Sequence, residues 1–219
     1  VHTYCSVSNY SGSAQIDKYD AEKLNLLKID ALGLRTLSIL QDVLDQVGWE
    51  REQLENYPLE DKAAFKILND EKYAGIFQFE GYALQSLTTQ MKVHKFEDIA
   101  VITALARPGP FQSGGTTEYI KRHTGKAETE YLHPLTEEVT RVTNGVVVYQ
   151  EQVMEIGRHV GKLSWEDVSQ LRKAMSKSLG QEFFNKYFEK FKIGAEENDI
   201  GESEAKYIWD HINTMGSWA

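Results

Sequence analysis

Cysteine is nearly absent from this chain of 219 residues: Cys5 stands alone, which rules out an internal disulfide and any multi-cysteine zinc site. Histidine is sparse as well. The six histidines are scattered, with no two of them three or four residues apart, so local spacing offers no histidine metal site. Apolar runs are far too short to cross a bilayer, and no charged start followed by an apolar segment marks a signal peptide, so a cytoplasmic protein with no membrane partner is expected. Positive charge is also in deficit. The 24 Lys and Arg against 33 Asp and Glu leave a net charge of −9, which argues against an unspecific nucleic-acid coat because phosphate contacts need Lys and Arg. The chain opens on Val1 without a methionine and stops at Trp218-Ala219, so an excised piece of a longer protein is expected.

What is present is enough apolar material, 41% of the residues, to bury a sizeable core in one large domain or two small ones. Ser11-Gly12-Ser13 marks a loop. Residues 24–30 read as a strand: the run Leu26-Leu27-Lys28-Ile29-Asp30 alternates, placing Lys28 and Asp30 on one face and ending on a carboxylate. Leu34, Leu37, Ile39, Leu40, Val43, Leu44 and Val47 then give a helix with a broad apolar face, ended by Gly48. The segment through Pro58 reads as a polar linker, and Ala63, Ala64, Ile67 and Leu68 as a short helix. Gly75-Ile76-Phe77-Gln78-Phe79 alternates like an extended segment. Helices are expected at 81–91, 95–105, 134–142, 148–160, 164–178, 181–197 and 202–213, making the chain mainly helical after residue 58.

Three constellations carry chemistry. Lys28 beside Asp30 pairs a cation for phosphate with one oxygen ligand for Mg2+, a hard ion; a surface ion pair at a strand end is the plainer alternative. Ala106-Arg107-Pro108-Gly109-Pro110-Phe111-Gln112-Ser113-Gly114-Gly115 combines a backbone fixed by two prolines with glycines that admit a ligand closely, leaving Arg107 and the following amides for phosphate; a rigid turn between helices explains it equally well. The third is the segment 164–178. Ser164 with Asp167 resembles a capping box, and Trp165, Val168, Leu171, Met175 and Leu179 form an apolar stripe. Lys173 and Lys177, flanked by Arg172, share another face that could neutralise a polyphosphate or simply be solvated. From Arg158 to Lys192 there are eight basic residues against four acidic ones, a local +4.

In this order, the stretches Leu27-Lys28-Ile29-Asp30-Ala31-Leu32-Gly33-Leu34-Arg35-Thr36-Leu37, Gly75-Ile76-Phe77-Gln78-Phe79-Glu80, Ala104-Leu105-Ala106-Arg107-Pro108-Gly109-Pro110, Asn144-Gly145-Val146-Val147-Val148-Tyr149-Gln150-Glu151-Gln152-Val153-Met154 and Leu171-Arg172-Lys173-Ala174-Met175-Ser176-Lys177 resemble the C-family bacterial replicative DNA polymerases, the DNA polymerase III alpha subunits. The resemblance implies an α+β, predominantly α-helical fold: the C-terminal part of a palm domain over 1–50, contributing a small strand and helix portion, then a truncated helical fingers domain over 51–219. It implies DNA-directed DNA polymerase activity in the intact protein, in which a primer 3′ hydroxyl attacks the alpha phosphate of a dNTP with two Mg2+ ions about 3.5–4 Å apart. Asp30 matches the third of the family's acidic metal ligands, and Lys28 a palm lysine near the triphosphate. Arg172, Lys173 and Lys177 match the fingers segment that neutralises the triphosphate; Arg107, Ser113 and Gly114 belong to a motif lining the nucleotide cleft. Gln150 and Glu151 match a motif without an assigned role.

The implied partners are dNTP, primer-template DNA and other replisome subunits, such as a sliding clamp, reached through regions outside this piece. The family's other two carboxylates come from an Asp-x-Asp pair, which this sequence lacks, so the piece alone is expected to be inactive. Ser176 and Ser178 stand where the family usually has glycine and a second lysine, and Lys173 replaces a common arginine, keeping charge but losing the planar fork. Two rival readings are a non-catalytic helical nucleotide- or protein-binding module derived from this fold, and a different phosphoryl-transfer enzyme using Asp30.

Overall fold

The structure, a computed structural model, describes residues 5–27, 29, 31, 33–106, 114–176 and 181–216. It divides into two compact units, Val1–Tyr57 and Pro58–Ala219. Lys28, Asp30, Arg107, Ser113, Lys177 and Leu179 lie outside the described residues.

In the first unit an isolated antiparallel bridge joins Val7 and Ala14 around the expected Ser11–Ser13 loop. Helix α1 (Lys18–Lys23) starts on Asp17, whose side chain accepts from the Asp20 amide at 2.8 Å. It stops where a strand was expected. Asn25 turns left-handed (φ 55), its amide donates to the Glu22 carbonyl at 3.1 Å, and the Leu26 amide donates to the Ala21 carbonyl at 3.0 Å. That pair of bonds is a Schellman ending, so the polar groups a strand would need are used to finish a helix. Leu27 and Ile29 follow as exposed coil, and the described residues of 24–30 form no strand. Helix α2 (Thr36–Val47) ends as expected on Gly48, which is left-handed at φ 69. Within this unit only Leu44 is buried among the described residues; Leu37, Ile39, Val43 and Val47 on the same helix remain exposed. The expected linker holds a further short helix, α3 (Arg51–Glu55), started by a reciprocal Glu50–Gln53 capping box rather than by apolar periodicity.

The regular elements among the described residues of the second unit are all helical: α4 (Lys62–Asn69), α5 (Tyr82–Met91), α6 (Phe96–Leu105), α7 (Gly115–His123), α8 (Pro134–Thr140) with a 3-10 turn (Arg141–Thr143), α9 (Gln150–His159), α10 (Trp165–Ser176), α11 (Gln181–Glu196) and α12 (Glu202–Gly216). The segment 75–79 is a turn, not an extended strand. Gly75 (φ 78) and Gln78 (φ 64) reverse the chain, and the Phe79 amide donates to the Ile76 carbonyl at 3.0 Å, so Phe79 is buried while Phe77 faces solvent.

Two hydrophobic clusters organise this unit. Phe65, Leu68, Leu84, Leu87, Met91, Ile102, Leu105 and Tyr119 centre the first. Val153, Ile156, Val168, Leu171, Met175 and Trp209, the last surrounded by Phe184, Phe188 and Phe191, centre the second. Val146 and Val148 pack into the first cluster, and Val147 between them packs into the second. Extended backbone sends successive side chains to opposite sides, so three residues close both clusters at once.

Gln152 holds that segment in place. Buried at the third position of α9, it accepts from the Val148 and Tyr149 amides at 2.7 and 3.0 Å and donates to the Val139 carbonyl at 3.1 Å and the Thr143 hydroxyl at 2.7 Å. Thr143 in turn donates to the Val146 carbonyl at 2.6 Å.

Candidate nucleotide-binding site

Helix α10 begins at Ser164, whose hydroxyl accepts from the Asp167 amide at 3.1 Å. The reciprocal half of a capping box is replaced: Asp167 accepts from the Ser164 hydroxyl at 2.8 Å and from Lys190 at 2.8 Å. The hydrogen bond from Lys190 is the main reason the Asp167 carboxyl is held below its ordinary value, with Ser164 adding to it and burial opposing it. Val168, Leu171, Ala174 and Met175 are buried, and Arg172 and Lys173 between them are exposed. Trp165 does not join the stripe: it is more than half exposed, and the Arg158 guanidinium lies 3.9 Å from its ring centre.

Most of the local basic excess is spent on contacts within the fold. Lys162 pairs with Glu197 at 3.0 Å, Lys190 with Asp167 at 2.8 Å, and Lys192 with Glu189 and Glu202 at 3.1 and 3.4 Å. Lys186 lies 5.7 Å from the Phe183 ring centre. Among the described residues, Arg172 and Lys173 are the adjacent cations that α10 turns outward on a rigid base.

Gly114 belongs to a different wall. It is the left-handed residue (φ 81) that starts α7, and no side chain caps the helix there. With Gly115 it lines a cavity of about 480 Å³ whose other walls come from Glu118 and Arg122 of α7, the 130–132 segment, Gly145–Val147, and Tyr207, Asp210, His211 and Thr214 of α12. Arg172 and Lys173 are not in its lining. Leu132, Val146 and Val147 supply an apolar floor and Tyr131, Tyr207 and His211 aromatic edges; of the acidic lining residues, Glu118 pairs with Arg122 at 3.0 Å and Asp210 with Lys206 at 3.0 Å.

Arg122 was not singled out from the sequence, although its i,i+4 spacing from Glu118 is readable there. The guanidinium is nine-tenths buried; Nε donates to Glu118 at 3.0 Å, and Nη1 donates to the carbonyls of Glu130 at 2.7 Å and Asn144 at 3.0 Å. On the same helix, burial foremost, and then the charge of Asp98, pushes the Tyr119 hydroxyl well above its ordinary value. Gln150 is half-buried and Glu151 exposed at the start of α9, and the buried Gln152 is the member of that motif that organises the backbone.

Residues 36–199 match the bacterial DNA polymerase III alpha subunit finger domain. The chain belongs to that family. It is 37% identical over 196 residues to the DNA polymerase III subunit alpha of Staphylococcus aureus (strain COL), covering 88% of this chain and 18% of that protein. To the DNA polymerase III subunit alpha of Aquifex aeolicus (strain VF5) it is 35% identical over 211 residues, 94% of this chain and again 18% of the relative. This finger-domain chain therefore spans about a fifth of the length of the curated relatives it matches. Among the described residues, no helix is long and apolar enough to cross a membrane.

Proposed function

We propose that this chain is the fingers region of a replicative DNA polymerase, together with the adjoining end of the palm, and that it binds the incoming dNTP. The supporting observation is helix α10: inside the stretch matched by the finger-domain family, Arg172 and Lys173 project from a helix anchored by four buried side chains. Cations on a helix whose backbone is anchored by buried side chains suit a polyphosphate, whose charge they neutralise. Lys177, Lys28, which matches a palm lysine of the family, and Arg107, Ser113 and Gly114 are proposed as further nucleotide contacts. The proposed limits are 1–50 for the palm portion and 51–219 for the fingers.

Asp30 is proposed as one ligand of a two-Mg2+ centre in the complete protein. The described residues do not fit such a centre by themselves: none of their His, Cys, Asp and Glu side chains come together in a group of three able to hold a metal ion. When bound, the ions would stabilise the attacking and leaving oxygens of nucleotidyl transfer. The contribution of this chain is substrate binding and one carboxylate, so the isolated piece does not extend primers. Primer-template DNA and other replisome subunits, such as a sliding clamp, are partners of the whole protein.

Primer extension by the full-length subunit tests this reading. Arg172→Ala and Lys173→Ala raise the nucleotide KM about tenfold each, the loss of a charge-assisted contact, with primer-template affinity nearly unchanged. Asp30→Asn abolishes incorporation and leaves primer-template binding intact. An equal loss of nucleotide and DNA affinity in the helix variants would place α10 against DNA, and retained incorporation by Asp30→Asn would remove Asp30 from the metal centre.

A further inference from the structure

The Gly114–Gly115 start of α7 and the Gly145–Val147 segment are far apart in sequence, yet they form two walls of one cavity, and Arg122 connects them. Its Nη1 bridges two backbone carbonyls, Glu130 and Asn144, while Nε is held by Glu118 from the turn below. The fit is tight on both sides. Asn144 and Gly145 are both left-handed (φ 53 and 77), and a Cβ added to Gly145 would overlap the Glu130 carbonyl and press on Arg122 Nη1. Backbone carbonyls that have lost a buried guanidinium must find other donors, and the cheapest relief is for the 144–147 segment to move away from α7.

We propose that Arg122 is a positioning residue for nucleotide binding: by clamping Glu130 and Asn144 it fixes the spacing between the Gly114–Gly115 amides and the Gly145–Val147 wall. The proposal rests on the reading of this region as the nucleotide cleft. Arg122 does not touch the triphosphate; it acts through the backbone it holds. Displacing a binding wall by a fraction of an ångström weakens substrate capture more than it alters the chemistry that follows.

The test is steady-state primer extension with the full-length subunit carrying Arg122→Gln, Arg122→Lys, Gly145→Ala or the Arg122→Gln/Gly145→Ala pair, alongside primer-template affinity and melting temperature. Arg122→Gln raises the dNTP KM about tenfold with kcat and primer-template affinity within about twofold. Arg122→Lys, which keeps the cation beside Glu118 but loses the planar fork, gives a smaller rise in the same direction. Gly145→Ala disturbs the same clamp from the other side, so the pair is no worse than the more severe single change. An unchanged KM with only a lowered melting temperature overturns the proposal, as do effects that multiply in the pair. Should Arg122→Gln fail to fold, an unchanged KM in Arg122→Lys and Gly145→Ala overturns it equally. If Arg172→Ala also leaves KM unchanged, the nucleotide-cleft reading itself fails; if Arg172→Ala raises KM and the Arg122 variants do not, only the role of Arg122 fails.

Discussion

Replacing Gln152 with Met keeps the volume of the side chain and removes every polar atom, so it isolates the hydrogen bonds from the packing. Two of the four bonds, to the Val148 amide and the Thr143 hydroxyl, are fully buried, and two, to the Tyr149 amide and the Val139 carbonyl, are partly so. A buried group left unpaired costs about 1–3 kcal/mol, a partly exposed one less because water reaches it, and the more apolar Met returns a portion, leaving a net loss of about 3 kcal/mol. For a unit of this size that lowers the melting temperature by about 6–12 °C. The readout is the fluorescence of buried Trp209 during thermal and urea unfolding, because its surroundings belong to the cluster that Val147 closes. Gln150→Met, two residues earlier and only half-buried, is the control, expected to shift stability by less than about 0.5 kcal/mol. A Gln152→Met protein within about 1 kcal/mol of the parent would refute the claim that these bonds pin the 146–148 segment.

The helices readable from sequence are those whose apolar letters recur at helical spacing. Helix α2 and its Gly48 stop, and α4, α5, α6, α8, α9, α10, α11 and α12, each appear near their expected limits, although α2 buries only Leu44 and α4 buries Phe65 and Leu68 while Ala63, Ala64 and Ile67 stay exposed. Three helices escaped that logic. Helices α1 and α3 bury nothing and are held by their caps, and α7 buries a threonine and a tyrosine, residues that do not draw an apolar stripe. Two extended readings failed for a related reason. The apolar letters at 24–30 and the alternation at 75–79 gave no hint that Asn25 and Gln78 take left-handed conformations, which turns residues 24–26 into a helix ending and 75–79 into a reversal.

The site was legible where local spacing decides it and obscure where distant residues do. That Arg172 and Lys173 face out while Val168, Leu171 and Met175 face in follows from helical geometry alone. That the neighbouring cations are occupied does not, since Lys190 meets Asp167 across 23 residues and Lys162 meets Glu197 across 35. The local +4 therefore overstated the charge that Lys162 and Lys190 present. Arg122 was harder still: two of its three partners are backbone carbonyls, which leave no mark in a sequence.

Two further changes probe the second cluster. Gly194→Ala would drive a Cβ into the Gly161 backbone carbonyl, which cannot swing aside as a side chain can, so a loss of about 1–3 kcal/mol is expected in urea unfolding; an unchanged midpoint would mean that α11 does not approach the 160–162 turn so closely. Asp167→Asn tests the ion pair between the start of α10 and Lys190. Because the folded carboxyl is held below the ordinary 3.8, mainly by Lys190, the charged form favours the folded state above that value, and this contribution fades as pH falls through the lower folded value. The variant is therefore less stable than the parent at pH 7, and the gap narrows as pH falls below the ordinary carboxylate value. Surface exposure of Lys190 keeps the effect small and sensitive to salt, so the comparison belongs at low ionic strength. A gap that stays constant from pH 7 to pH 3 would show that Asp167 stabilises α10 through its hydrogen bond with Ser164 and not through its charge.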